Sequence, residues 1–156
     1  MGTLSALALV DASWPYGLVA LAAFIGGSLL PLSSEAALVA QIKTGYGMPW
    51  GLAIAATIGN TLGGVFNWWL GKWIVHFQTR PWFPFTPGQI EHAEVRFKRW
   101  GIWVLPFTWF PIIGDVLTFV AGSFRVPLWL FVPLVAIGRF ARYAVIVWGM
   151  TRLGWI

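Results

Sequence analysis

Four ionisable side chains stand inside strongly apolar stretches of this chain: Glu35, Asp115, Arg139 and Arg142. Each costs about 2.5–3.5 kcal/mol at the centre of a bilayer on the insertion scale, so a chain keeps such residues where they are paired, solvated or used. The two carboxylates can take up and release protons. The two guanidinium groups present forked donors that suit phosphate or carboxylate. Arg139 and Arg142 are i, i+3 and project from neighbouring faces of one helix. The four together point to a polar site near the midplane, a path for a charged headgroup or an ion. The competing reading is that Glu35–Arg and Asp115–Arg pairs merely lock two halves of the protein together. Whether either acid takes up a proton near neutrality depends on how burial and a nearby arginine offset each other. Arg142 also lies close enough to an interface to snorkel.

A second constellation lies in the stretch 46–71. Asn60, Gly64, Asn67 and Gly71 recur at helical spacing, with Gly59 and Gly63 beside them. Such a small, polar stripe suits close helix packing with interhelical hydrogen bonds; Asn60 and Asn67 are also candidates to line the path. Other chemistry is absent from the sequence. With no cysteine there is no disulfide framework, thiol nucleophile or Cys-ligated metal. His76 and His92 lack HExxH-like spacing and read as interfacial polar residues, and no GxxxxGK[ST] phosphate loop occurs. No nucleophile–base pair or metal set emerges, so neither an enzyme, a cofactor nor a metal is expected.

Composition sets the class. Residues of the AVILMFWYC set make up 58% of the 156 and charged residues only 10%, and mean hydropathy is +0.75. That charge content is well below the roughly one quarter of ordinary globular domains, too little to cover a globule, so the chain reads as an integral membrane protein. The net charge of +5 sits beside hydrophobic spans, where topology explains it without nucleic acid. No Lys or Arg precedes Lys43, so the first apolar segment lacks a basic n-region and is expected to be retained.

Four apolar blocks run over 15–44, 46–71, 100–124 and 127–149, split two and two by a polar interval at 72–99. Blocks two and four are long enough to span, at roughly 34 Å each. Blocks one and three are broken at Pro31 and Pro111, each followed by a carboxylate, Glu35 and Asp115. Proline removes a helical hydrogen bond, and the arms that remain reach only about 16–20 Å. They predict two re-entrant hairpins whose tips are buried in protein or face a watery cavity. Pro31/Pro111, Pro49/Pro127 and Gly59-Asn60/Gly138-Arg139 correspond at offsets of 78–80. A unit of hairpin plus spanning helix crosses once, so its second copy is inverted, a transporter architecture.

The expected fold is therefore a single all-α membrane domain, 1–156. Its parts are a first hairpin and transmembrane helix (15–71), a connector (72–99), and a second hairpin and transmembrane helix (100–149). Lys72, Arg80, Arg96, Lys98 and Arg99 assign the connector to the cytoplasm. Re-entrant hairpins and four full spans give the same 6-to-2 basic-residue bias, so charge leaves the two arrangements open. Within the connector, Thr86, Pro87 and Gln89 form a helix start with a capping box. Ile90, Ala93, Phe97 and Trp100 follow as the apolar face of an amphipathic helix resting on the membrane surface. Before it, Arg80-Pro81-Trp82-Phe83-Pro84-Phe85 reads as an aromatic interfacial anchor.

Leu30-Pro31 to Ser34-Glu35, Gly59-Asn60-Thr61-Leu62-Gly63-Gly64 with Gly71-Lys72, Phe110-Pro111 to Gly114-Asp115, and Ala121-Gly122 together resemble the DedA family. That group is also called the SNARE-associated Golgi protein or VTT-domain family. Gly138 to Arg142-Tyr143 resembles its short bacterial YqaA-like branch, and the likeness covers roughly residues 25–149. The resemblance implies a bacterial inner-membrane protein with two re-entrant hairpins in an inverted repeat. It also implies movement of lipids across the bilayer, including polyprenyl-phosphate recycling and phospholipid scrambling, and proton-dependent membrane homeostasis. The family's acidic residue at the first hairpin corresponds to Glu35. Larger members carry Arg-Phe-x-Pro-x-x-Arg at the second hairpin, whereas Trp109 to Asp115 here holds no arginine. Arg139 and Arg142 are the candidates to supply that charge.

The leading reading is a flippase or scramblase acting on a phosphate-bearing lipid. Glu35 and Asp115 would solvate or proton-couple the path, Arg139 and Arg142 would bind the headgroup, and a homodimer would enclose it. The alternatives are a proton-coupled carrier of small cations or osmolytes, and a non-transporting membrane scaffold.

Overall fold

The computed structural model describes residues 2–28, 34–45, 47–74, 86–110 and 113–155, with side chains from residue 13 onward except those of 74 and 109. Among them are the helices α1 (Gly2–Gly26), α2 (Ser34–Lys43), α3 (Pro49–Ile74), α4 (Pro87–Trp100), α5 (Ile113–Ser123) and α6 (Leu128–Arg152), with a 3-10 helix at Gly101–Trp109 between α4 and α5. No strand occurs among the described residues. The breaks expected at Pro31 and Pro111, His76 and the Arg80–Phe85 anchor lie outside them.

The short helices α2 and α5 and the long helices α3 and α6 match the lengths expected of them, whereas α1, at 25 residues, is as long as α6. α2 has 10 residues and α5 has 11, about 15–17 Å each, too short to cross a bilayer core of about 30 Å. α3 has 26 residues and α6 has 25, about 38 Å each. Among the described residues α6 is the helix both long and apolar enough to cross a membrane. α3 matches it in length and carries the polar stripe. That stripe faces inward: Gly59, Asn60, Gly63, Gly64, Asn67 and Gly71 are all buried.

Two elements differ from expectation. α1 starts well before residue 15 and runs through Pro15. The arm after residue 100 is a 3-10 helix with Pro106 inside it; proline has no N–H to donate and crowds an α-helical turn.

The connector helix begins as its cap predicts, with the Gln89 amide donating to Thr86 Oγ1 at 3.4 Å and the Thr86 amide to Gln89 Oε1 at 2.8 Å. Its apolar face, however, is covered by protein. Ile90, Ala93 and Phe97 pack with Val116, Leu117 and Val120 of α5 and Leu105 of the 3-10 helix, so that face is not the one resting on a membrane. Trp100, counted with it by spacing, points outward and is 61% exposed.

α3 and α6 run antiparallel through two core clusters. One gathers Val19, Leu38, Leu52, Ala56, Tyr143 and Val147 from α1, α2, the start of α3 and the end of α6. The other gathers Trp68, Phe97, Leu105, Leu117 and Phe131 from the end of α3, α4, the 3-10 helix, α5 and the start of α6. Glycine permits the closest crossings, since a side chain there would collide with main chain. Gly59 lies against the Ala20 carbonyl of α1, and Gly138 against the Pro106 carbonyl of the 3-10 helix. Between α3 and α5 the contact is reciprocal: Gly71 meets the Phe119 carbonyl and Gly122 meets that of Trp68.

Contacts near the helix ends tie the elements together. The Met48 amide donates to Tyr16 Oη at 2.9 Å, joining α1 to the start of α3. Phe124, just past α5, stacks on Phe97 of α4 at 5.1 Å between ring centroids. Trp68 Nε1 donates to the Val126 carbonyl at 3.0 Å, tying the same end of α5 to α3.

Candidate functional site

α6 carries both arginines, and each meets one of the two acids. Arg142 pairs with Glu35 in the first turn of α2. Arg139 Nη2 lies 3.6 Å from Asp115 Oδ1, in the first turn of α5. Both carboxylates thus stand at the starts of short helices, where the helix dipole favours negative charge. Burial separates the pairs. Arg139 is 2% exposed, whereas the side chains of Asp115, Arg142 and Glu35 are 26%, 23% and 27% exposed. A guanidinium is thus sunk in the core, with carboxylates reaching toward the surface on either side of it.

Hydrogen bonds run across the interior from Arg139 to Ser34, the chain neighbour of Glu35. Arg139 Nη1 donates to the Asn60 carbonyl of α3. The Asn60 amide donates to Tyr143 Oη at 2.6 Å, and Tyr143 donates onward to Ser34 Oγ at 2.9 Å, beside Glu35. On the other side, Thr118 Oγ1 donates to the Asp115 carbonyl at 2.7 Å. Asn67 Nδ2 reaches Thr118 Oγ1 at 3.4 Å and the Gly27 carbonyl at 3.2 Å. A polar seam therefore runs from Ser34 through Asn60 and Arg139 to Asp115 and Asn67, touching α2, α3, α5 and α6. Each bond offsets the desolvation of groups that would otherwise cost about 1–3 kcal/mol apiece when buried.

Three buried polar atoms, one of them on the seam, have no hydrogen-bond partner among the described residues: Asn67 Oδ1, Thr61 Oγ1 and Gln41 Nε2. Asn67 is fully buried. Unfilled acceptors and donors of this kind are what an entering water or polar solute binds.

All four ionisable residues singled out by sequence are thus brought into two pairs. Asn60 and Asn67 belong to the seam as well, as buried hydrogen-bonding groups and not as an open lining. Spacing did not identify Tyr143, Ser34 or Thr118 as members, since a hydroxyl in an apolar helix is commonplace and only its partner reveals its role. Gly64 was legible as a small residue, but not its use: the Arg139 guanidinium occupies the space a side chain would need, with its nitrogens 3.0 and 3.1 Å from where a Cβ would stand.

No family model matches the chain, and no solved structure matches it. Curated relatives do. The chain is 34% identical over 123 residues to the inner membrane protein YqaA of Escherichia coli (strain K12), covering 79% of this chain and 82% of the relative. The protein of the same name from Shigella flexneri matches to the same extent. An uncharacterized protein of Haemophilus influenzae is 25% identical over 134 residues, 81% of this chain and 82% of its own length. The all-helical architecture and an apolar helix of spanning length agree with an inner-membrane location. By identity and coverage, the chain belongs to the family of the inner membrane protein YqaA.

Proposed function

We propose that this protein is a DedA-type transporter that moves a phosphate-bearing lipid across the bacterial inner membrane. The observation that carries the reading is the buried seam that runs from the Asp115–Arg139 pair to Ser34, next to the Glu35–Arg142 pair, with one guanidinium in the core and both carboxylates partly open. A headgroup phosphate exchanging places with a carboxylate at Arg139 or Arg142 keeps a counter-charge on the arginine throughout. The released carboxylate is then solvated or takes up a proton, the step by which transport would be proton-linked. Nothing in this cycle changes the covalent structure of the lipid, so the protein acts as a carrier and not as an enzyme.

In this reading the fold is an inverted repeat of two re-entrant hairpins, each followed by a transmembrane helix. The second half supports it: Phe97 and Phe124 bring the entry and exit of that hairpin together at one end of α3, whereas α1, at 25 residues, is longer than the arm this reading expects of the first hairpin. Residues 72–99 then lie in the cytoplasm, and a second copy of the chain would close the open side of the path.

The test is transport by purified protein in liposomes carrying a trace fluorescent phosphate lipid and an impermeant quencher outside. The expected result is quenching beyond the outer-leaflet share, lost in Glu35→Gln while thermal unfolding stays cooperative. Protection of the inner leaflet for each phosphate lipid tested, by folded wild-type protein, would overturn the reading in favour of a solute carrier or a scaffold.

A further inference from the structure

Outside the seam, two adjoining hollows open where α4, the 3-10 helix and α5 meet. The larger, about 510 Å³, is lined by Arg96, Trp100, Trp103, Phe107, Ile113 and Leu117 among others. The smaller, about 260 Å³, is lined by Gln89, His92, Arg96, Ile113 and Val116 among others. Arg96 and Ile113 form walls of both, so the hollows make one groove with a polar end and an aromatic end. Asp115 and Arg139 line neither.

The surface chemistry of this groove is sharply divided. Trp103 is 70% exposed and Phe107 65%, large aromatic faces that are costly in water and favourable against hydrocarbon. Trp100 and Trp103 have the amphipathic character of residues at a headgroup boundary. At the polar end, the Gln89 amide, the His92 ring and the Arg96 guanidinium are all potential donors, and no carboxylate lines either hollow. The larger hollow also falls within the roughly 300–1,000 Å³ of ligand sites. A free anion would leave the aromatic wall unused, and a neutral hydrocarbon would leave the donors unused. An anionic amphiphile satisfies both ends.

We infer that this groove binds one anionic phospholipid of the surrounding leaflet, its phosphate at Arg96 and an acyl chain along Trp100, Trp103 and Phe107. The site is separate from the seam and stands whether or not the protein transports lipid. A lipid held there bridges α4, the 3-10 helix and α5, and so braces the hairpin that carries Asp115.

The experiment uses the full chain in liposomes containing phosphatidylglycerol with a photoactivatable diazirine in its acyl chain, followed by peptide mapping of the adducts. Adducts are expected to concentrate within 100–110. Arg96→Gln should lower them about tenfold, the loss of one charge-assisted contact. Trp103→Ala should also lower them, whereas Lys98→Gln, which removes an equal charge from a residue lining neither hollow, should leave them unchanged. Three labelling results would overturn the inference, and so would one cross-linking result. The three are even labelling over all lipid-facing helices, equal losses in Arg96→Gln and Lys98→Gln, and equal labelling by a zwitterionic lipid probe. A disulfide between copies through Phe107→Cys, in a chain with no other cysteine, would instead assign the groove to a second protomer.

Discussion

The two acid–arginine pairs have the same chemistry and different surroundings, and that difference predicts different behaviour. Arg139 is enclosed on α3 by Gly64 and the Asn60 carbonyl, so Asp115→Asn strands a buried cation. Breaking such a pair costs about 3–5 kcal/mol, read as a fall in the detergent-solubilised unfolding midpoint. The double variant Asp115→Asn, Arg139→Gln should recover much of that loss. Glu35 and Arg142 are each about a quarter open. Where a watery path reaches them, solvent takes over the pairing and Glu35→Gln costs about 1 kcal/mol or less. A loss equal to that of Asp115→Asn would show the first pair to be a lock. Gly64→Val should resemble Asp115→Asn, because the new side chain occupies the space of the Arg139 guanidinium.

Among the elements, α3 is the one on which α1, α5 and α6 pack, and its glycines set how near they come. Gly71 and Gly122 interlock α3 with α5, each against the other helix's main chain. Backbone cannot yield as a side-chain tip can, so Gly71→Ala or Gly122→Ala forces the helices apart, at the roughly 1–3 kcal/mol typical of overpacking. Gly149 of α6 has no neighbour within 4 Å of where a Cβ would stand. Gly149→Ala is therefore expected to be neutral or to stabilise by up to about 1 kcal/mol through helix propensity. Comparing the three unfolding midpoints checks this. A uniform effect would mean that helix propensity and not packing is being measured.

For the whole molecule, the decisive quantity is the side on which each helix end emerges. With both hairpins re-entrant, the connector and the C-terminal end of α6 lie on opposite sides of the membrane; with four full spans they lie on the same side. The chain has no cysteine, so single substitutions report cleanly. Gly88→Cys and Leu153→Cys occupy exposed positions. In intact cells, an impermeant thiol reagent should label Leu153→Cys and spare Gly88→Cys. Protection of both would exclude the re-entrant arrangement.

Much of this protein was legible before any coordinates. A low charge content and long apolar runs settle the membrane class, because the cost of exposing such surface depends on composition and not on fold. Capping chemistry acts locally, so the start of α4 could be placed from Thr86, Pro87 and Gln89. Even the four costly charges stood out by type alone. What spacing could not supply was partnership. That Arg139 takes Asp115 and Arg142 takes Glu35, that Tyr143 joins Asn60 to Ser34, and that α4 buries Ile90 and Phe97 against α5 are contacts between residues far apart in the chain. Helical periodicity specifies which face is apolar or polar. Which neighbour covers that face follows from the close crossings at Gly59, Gly71, Gly122 and Gly138, and so from the tertiary structure.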